Sequence, residues 1–234
     1  VRAIKTQAAD MIAAIDIKDK ATLTQWLEEW PESKGMGDEV ARKVAVGIAH
    51  RAAMRVLPIA WGRISGAFKS DLASLSILWC NLISGVASTC PTPAITDDIR
   101  NASRTSASTA STAASASASA SAFAAYAAST SSTADLASAD ASAFAFASSD
   151  ASAFAAASSV VWEQVQSDAV AFENDGGPEH KALWSGGAPE WFLNAAREMQ
   201  NDWAAADPQY SFWSRWWARA VKGESLPWGF LKEV

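Results

Sequence analysis

The chain is poor in the residues that carry most enzyme chemistry. Its 234 residues include two cysteines, Cys80 and Cys90, and two histidines, His50 and His180. Neither cysteine belongs to a CxxC pair, and two are too few for the disulfide framework of a small secreted module, so reduced thiols are expected. Positive charge is also scarce, with 19 Lys and Arg against 25 Asp and Glu. No overall positive field exists for a phosphate backbone, which makes nucleic acid an unfavoured partner. Gly35-Met36-Gly37 lacks the later glycine or the Lys-Ser/Thr of a nucleotide loop and reads as a turn. No cofactor is expected.

Val1 to Ile15 carries Arg2, Lys5 and Asp10 and lacks the apolar block of a secretory signal, so the expected location is cytoplasmic. The longest uncharged apolar run, Leu72 to Cys90, approaches the length of a membrane span. It contains Asn81, four serines and Gly85, which favour a buried helix instead.

Between Asn101 and Val160 proline and glycine are absent, and only Arg104, Asp135, Asp140 and Asp150 are charged. What fills these 60 residues is 25 Ala and 18 Ser, interrupted by Phe123, Tyr126, Leu136, Phe144, Phe146 and Phe154. Alanine is the best helix former and nothing here breaks a helix, so a helical hairpin is the expectation, turning at Ser129 to Thr133. Its arms would run from about Thr96 to Ala128 and from about Ala134 to Phe172, each longer than about 45 Å. Two rivals stay open: a disordered low-complexity segment, and a β-solenoid suggested by the ten-residue spacing of Tyr126, Leu136 and Phe146.

The flanks read as shorter helices. Asp19 caps one carrying Leu23, Trp26, Leu27 and Trp30, which Pro31 is expected to end. Asp38 opens another, reaching Leu57, whose packing face is Val40, Val44, Ile48 and Ala52. Arg42, Lys43, Arg51 and Arg55 then make a solvated face, or with Arg63 a patch for an acidic or phosphate-bearing partner. Farther on, Pro189 precedes a helix with Phe192, Ala195, Ala196, Met199 and Trp203 on one side. The last helix carries Tyr210, Trp213, Trp217 and Val221 on one face, Phe212 and Trp216 on another, and ends at Gly223.

Few residues converge for catalysis. Glu28-Glu29 and Asp97-Asp98 are adjacent pairs, and neighbours on a helix diverge by about 100 degrees, so neither forms a metal or acid–base site alone. His50 reads as an ordinary helix residue. Of the twelve tryptophans, seven fall between Trp184 and Trp228, where they fill gaps between closely approaching Ala/Ser surfaces or stay exposed as interface anchors.

Leu183-Trp184, Gly187, Pro189-Glu190-Trp191, Asp207-Pro208, Phe212-Trp213, Trp216-Trp217 and Gly223 through Trp228 resemble the ending of a family of bacterial Ala-rich proteins. Val44 to Pro58 resembles the same family's amino-terminal block. That family usually has Trp-Tyr where this chain has Trp216-Trp217, so no role for the hydroxyl carries over. The resemblance implies no catalytic residue, cofactor or partner.

The chain therefore reads as an all-α, elongated bundle: an N-terminal helical region (1–93), an Ala/Ser-rich hairpin (94–172) and a Trp-rich region packed on it (173–234). The expected function is non-enzymatic, as a scaffold that assembles with itself or another protein. Contact candidates are Phe144, Phe146, Phe154, Phe212, Trp216, Arg51 and Arg55. The alternatives are a membrane-acting effector using Leu72 to Val86 or the Trp-rich tail, and an ice- or surface-adsorbing protein using the uncharged stretch from Thr105 to Ala134.

Overall fold

A computed structural model describes residues 12–67, 153–178, 180–206 and 210–224, together with Leu78, Asn81, Leu82, Gly85 and Val86. Over these residues the chain is all-α and contains no strand. A short 3-10 turn, Ala14–Asp16, leads into α1 (Lys20–Ser33) and α2 (Asp38–Ala67). Then come α3 (Ala153–Asp175), α4 (Glu190–Ala206) and α5 (Ser211–Lys222). The hairpin expected before Ala153, its turn at 129–133, Phe144, Phe146, Asp97-Asp98, the 105–134 stretch and the tail beyond Glu224 lie outside the described residues.

Helix α1 starts where its sequence says it should. The Asp19 carboxylate accepts the Thr22 amide at 2.9 Å, and the Thr22 hydroxyl accepts the Asp19 amide at 3.1 Å, which closes a capping box. Those Thr22 groups hold the Asp19 carboxyl below its ordinary range. Pro31, expected from sequence to end the helix, lies inside it, because its ring costs only one bond near the C-terminus. Termination falls instead to Gly35, at φ +61. The Gly35 amide donates to Glu32 and the Met36 amide to Pro31, both at 2.9 Å, in a Schellman arrangement.

Helix α2 is the centre of the described residues. Ala41, Val44, Ala45, Val46, Ile48, Ala52, Ala53, Met54, Leu57 and Trp61 are all buried, and these positions circle the helix. A helix apolar all round belongs inside the fold. It packs against α1, α3 and α4. Its small residues allow close approach, and Phe172 Cζ of α3 lies 3.0 Å from the point a Gly47 Cβ would occupy. Two sequence expectations fail on α2. Val40, placed on the packing face, is 46% exposed. The helix also continues through Pro58 to Ala67, because the extension buries Trp61 against Trp203 and Tyr210, at 5.4 and 6.1 Å between ring centroids.

The remaining helices follow their apolar stripes. Val161, Val165, Ala169 and Phe172 of α3, and Phe192, Ala196, Met199 and Trp203 of α4, enter the same core as α2. So do Tyr210, Trp213, Trp216 and Trp217 around α5. Trp216 therefore belongs to the packed side, while Phe212 remains 44% exposed. Leu78, Leu82 and Val86 are helical and buried, in keeping with a buried helix in the 72–90 run. Among the described residues no helix is long and apolar enough to cross a membrane.

Gly223 closes α5 in a left-handed conformation at φ +71, and a Cβ there would meet the Lys181 carbonyl carbon at 2.4 Å. Gly35 has the same kind of φ but open space around it. Gly35→Ala should cost about 1 kcal/mol from backbone strain alone, and Gly223→Ala clearly more. Urea unfolding of the two variants checks the order.

Candidate functional site

Among the described residues, a buried polar cluster is made from α2, α3 and the loop between α3 and α4. Arg51 and Arg55 stand four apart on α2, so they share one face. Opposite them on α3, Asp168 interrupts the apolar stripe. Arg51 Nε donates to Asp168 Oδ1 at 2.9 Å, and Arg55 Nη1 lies 2.7 Å from Asp168 Oδ2. Arg51 is 8% exposed, Arg55 0% and Asp168 3%. Burial pulls the Arg55 guanidinium below its ordinary pKa, and the Asp168 charge and hydrogen bond oppose that pull.

One carboxylate cannot match two guanidiniums. Backbone carbonyls of the loop supply the rest. Arg51 Nη1 donates to Pro178 at 3.2 Å and Lys181 at 3.0 Å, and its Nη2 to Ala182 at 2.7 Å. Arg55 donates through Nε and Nη2 to the Leu183 carbonyl, at 3.0 and 2.8 Å. Every guanidinium nitrogen of the pair thus has an oxygen within 3.2 Å. The Arg55 guanidinium also lies 5.8 Å from the Trp184 ring centroid.

The loop is fastened from its other side as well. The Leu183 amide donates to the Val221 carbonyl at 2.9 Å near the end of α5, and Gly223 leaves room for the Lys181 backbone. Beyond Leu183 comes an aromatic group. Trp184 meets Trp191 and Phe192 edge-on, at 5.7 and 5.1 Å, and Phe192 lies 5.9 Å from Trp217.

Arg51 and Arg55 are therefore not part of a solvated face. Their charge is spent on this chain's own carboxylate and backbone, and an acidic or phosphate-bearing partner would have to displace those acceptors. Trp216 is buried, Phe212 is exposed, and Phe154 lies within α3 with its side chain outside the described residues. Glu28 is exposed. Glu29 instead accepts the Ile12 amide at 3.2 Å and the Gln25 side chain at 2.9 Å. Asp168 was not singled out in the sequence. Its signal was there: an acid among Val161, Val165, Ala169 and Phe172 on one helical face needs a buried partner.

His50 lies on α2 against the helical positions of the 78–86 run, where its Cε1 comes within 3.1 Å of a Cβ built on Gly85. Burial first, and then the neighbouring Arg51 charge, push its pKa down to about 4, against a hydrogen bond with the Asn81 backbone. The imidazole is neutral at pH 7. His180 is exposed on the loop. Among the described residues, no group of three His, Cys, Asp or Glu side chains is arranged to hold a metal ion.

No protein-family model matches the chain, and no curated protein or solved structure compared with it is similar.

Two outcomes follow from this geometry. Asp168→Asn leaves two buried guanidiniums without a counter-charge and should cost about 3–5 kcal/mol in urea unfolding. As for His50, the unfolded chain takes up a proton below about pH 6.5 that the folded chain refuses until about pH 4. Stability should fall as pH drops through that window, by at most about 3 kcal/mol, and His50→Gln should flatten the fall.

Proposed function

We propose that this chain is a non-enzymatic assembly protein that works by presenting a rigid helical surface to further copies of itself. The observation that carries this reading is where the chain spends its distinctive residues. Arg51, Arg55 and Asp168 bind the protein's own backbone and one another, and eight tryptophans are buried in one core. These are the investments of a scaffold. Outside that core, Phe212 is left 44% exposed and Leu193 48% exposed on neighbouring helices.

Ala-rich helical surfaces let helices of different copies approach closely, and phenylalanines on them act as anchors. Phe144, Phe146, Phe154 and Phe212 are the proposed anchors. Arg51 and Arg55 contribute indirectly, by stiffening the core that α2 and α3 share. Trp216 supports the same core, since it is 4% exposed and meets Trp213 edge-on at 5.8 Å.

Light scattering of the purified chain should give a mass at least twice the 24.7 kDa of one copy. Phe212→Ser should lower that mass without changing the far-UV circular dichroism. A single-copy mass at all concentrations would end the assembly reading.

A further inference from the structure

The stretch Ile12–Ile17 is held the way a bound peptide is held. Apart from the two backbone bonds of its own turn, its backbone bonds to side chains of α1 and α3. Glu173 of α3 accepts the Ala14 amide at 3.2 Å, and Glu29 of α1 accepts the Ile12 amide. Gln166, two turns earlier on α3, donates to the Ile15 carbonyl and, at 3.2 Å, to the Ile17 carbonyl. Two side chains anchor the stretch, Ala14 at 0% and Ile17 at 1% exposure, while Ile15 between them is 65% exposed. The groove is lined by Trp26, whose indole donates to the same Glu173 oxygen at 2.8 Å.

The link from this stretch to the first helix is short. Only Lys18 and Asp19 join it to α1, and the first turn of α1 is capped by Asp19 and Thr22 without its help. Removing Ile12–Ile17 from its groove would leave that cap intact. A groove that reads backbone amides and carbonyls plus one small and one aliphatic anchor, three residues apart, accepts any copy of the same segment equally well.

We propose that Ile12–Ile17 is an exchangeable ligand, and that in the assembled protein the groove between α1 and α3 takes this segment from a second copy. Exchange makes the same contacts in trans as in cis, so it needs no surface beyond those already built. The inference rests on the assembly reading, for which it supplies one specific joint.

The probe is a synthetic peptide of residues 12–18, IAAIDIK, used with the full chain. Excess peptide should at least halve the assembled fraction in light scattering. Ala14→Arg, which cannot seat its anchor, should keep the wild-type far-UV circular dichroism, run as a single copy, and bind fluorescein-labelled peptide. Adding Gln166→Ala to that variant should weaken peptide binding about tenfold, equivalent to about 1.4 kcal/mol. Assembly that persists both with excess peptide and in Ala14→Arg would overturn the exchange and leave the assembly reading standing. A wild-type chain that is a single copy throughout would overturn both. If Ala14→Arg unfolds, or folds but captures no peptide, the segment is a fixed part of the core and the proposal fails.

Discussion

A helix buried on every side cannot carry charge unless the rest of the chain is arranged around that charge. Helix α2 carries two guanidiniums into the core, and Asp168 neutralises only one of them. The remaining donors need acceptors that no helix has already claimed. Helical carbonyls are engaged by amides four residues on, whereas an irregular segment offers them free. The 178–183 loop meets that need, and so it belongs to the core despite its exposed tip. Two neighbours are tied to it: Trp184 follows directly, and α5 is joined to the loop through Val221 and Gly223.

The aromatic packing fits around this polar centre by shape more than by hydrogen bonding. Trp26 and Trp61 donate to carboxylates, Glu173 and Asp202. Trp30, Trp184, Trp203 and Trp216 are buried with indole nitrogens that have no hydrogen-bond partner. Edge-to-face contacts surround three of these, Trp184, Trp203 and Trp216, and Trp30 stacks on Trp26 at 4.9 Å. Such ring pairs add attraction beyond burial, offsetting part of the cost of an unpaired N–H. A core of this kind depends on fixed neighbours.

Much of the helical layout was legible in the sequence because it is written in local signals. The capping pair Asp19–Thr22, the stripe Phe192-Ala196-Met199-Trp203 and the stop at Gly223 each act within one or two turns. What was not legible depends on residues more than a hundred positions apart. Arg51 and Arg55 look like surface residues until Asp168 and the 178–183 carbonyls are seen beside them, and no pattern within α2 announces those partners. The continuation of α2 past Pro58 was hidden for the same reason. A proline's local cost is visible in sequence, but the gain from burying Trp61 on the far side of Pro58 is tertiary.

The central claim is that the 178–183 loop is locked by the α2 arginines and opens only when the core opens. Native-state hydrogen exchange measures this directly at the Leu183 amide. The account predicts that Leu183 exchanges as slowly as the amides of α2, and that both speed up together with added denaturant, as members of one cooperative unit. Exchange at Leu183 a hundredfold faster than in α2, and insensitive to denaturant, would show a loop that opens on its own and would contradict the account.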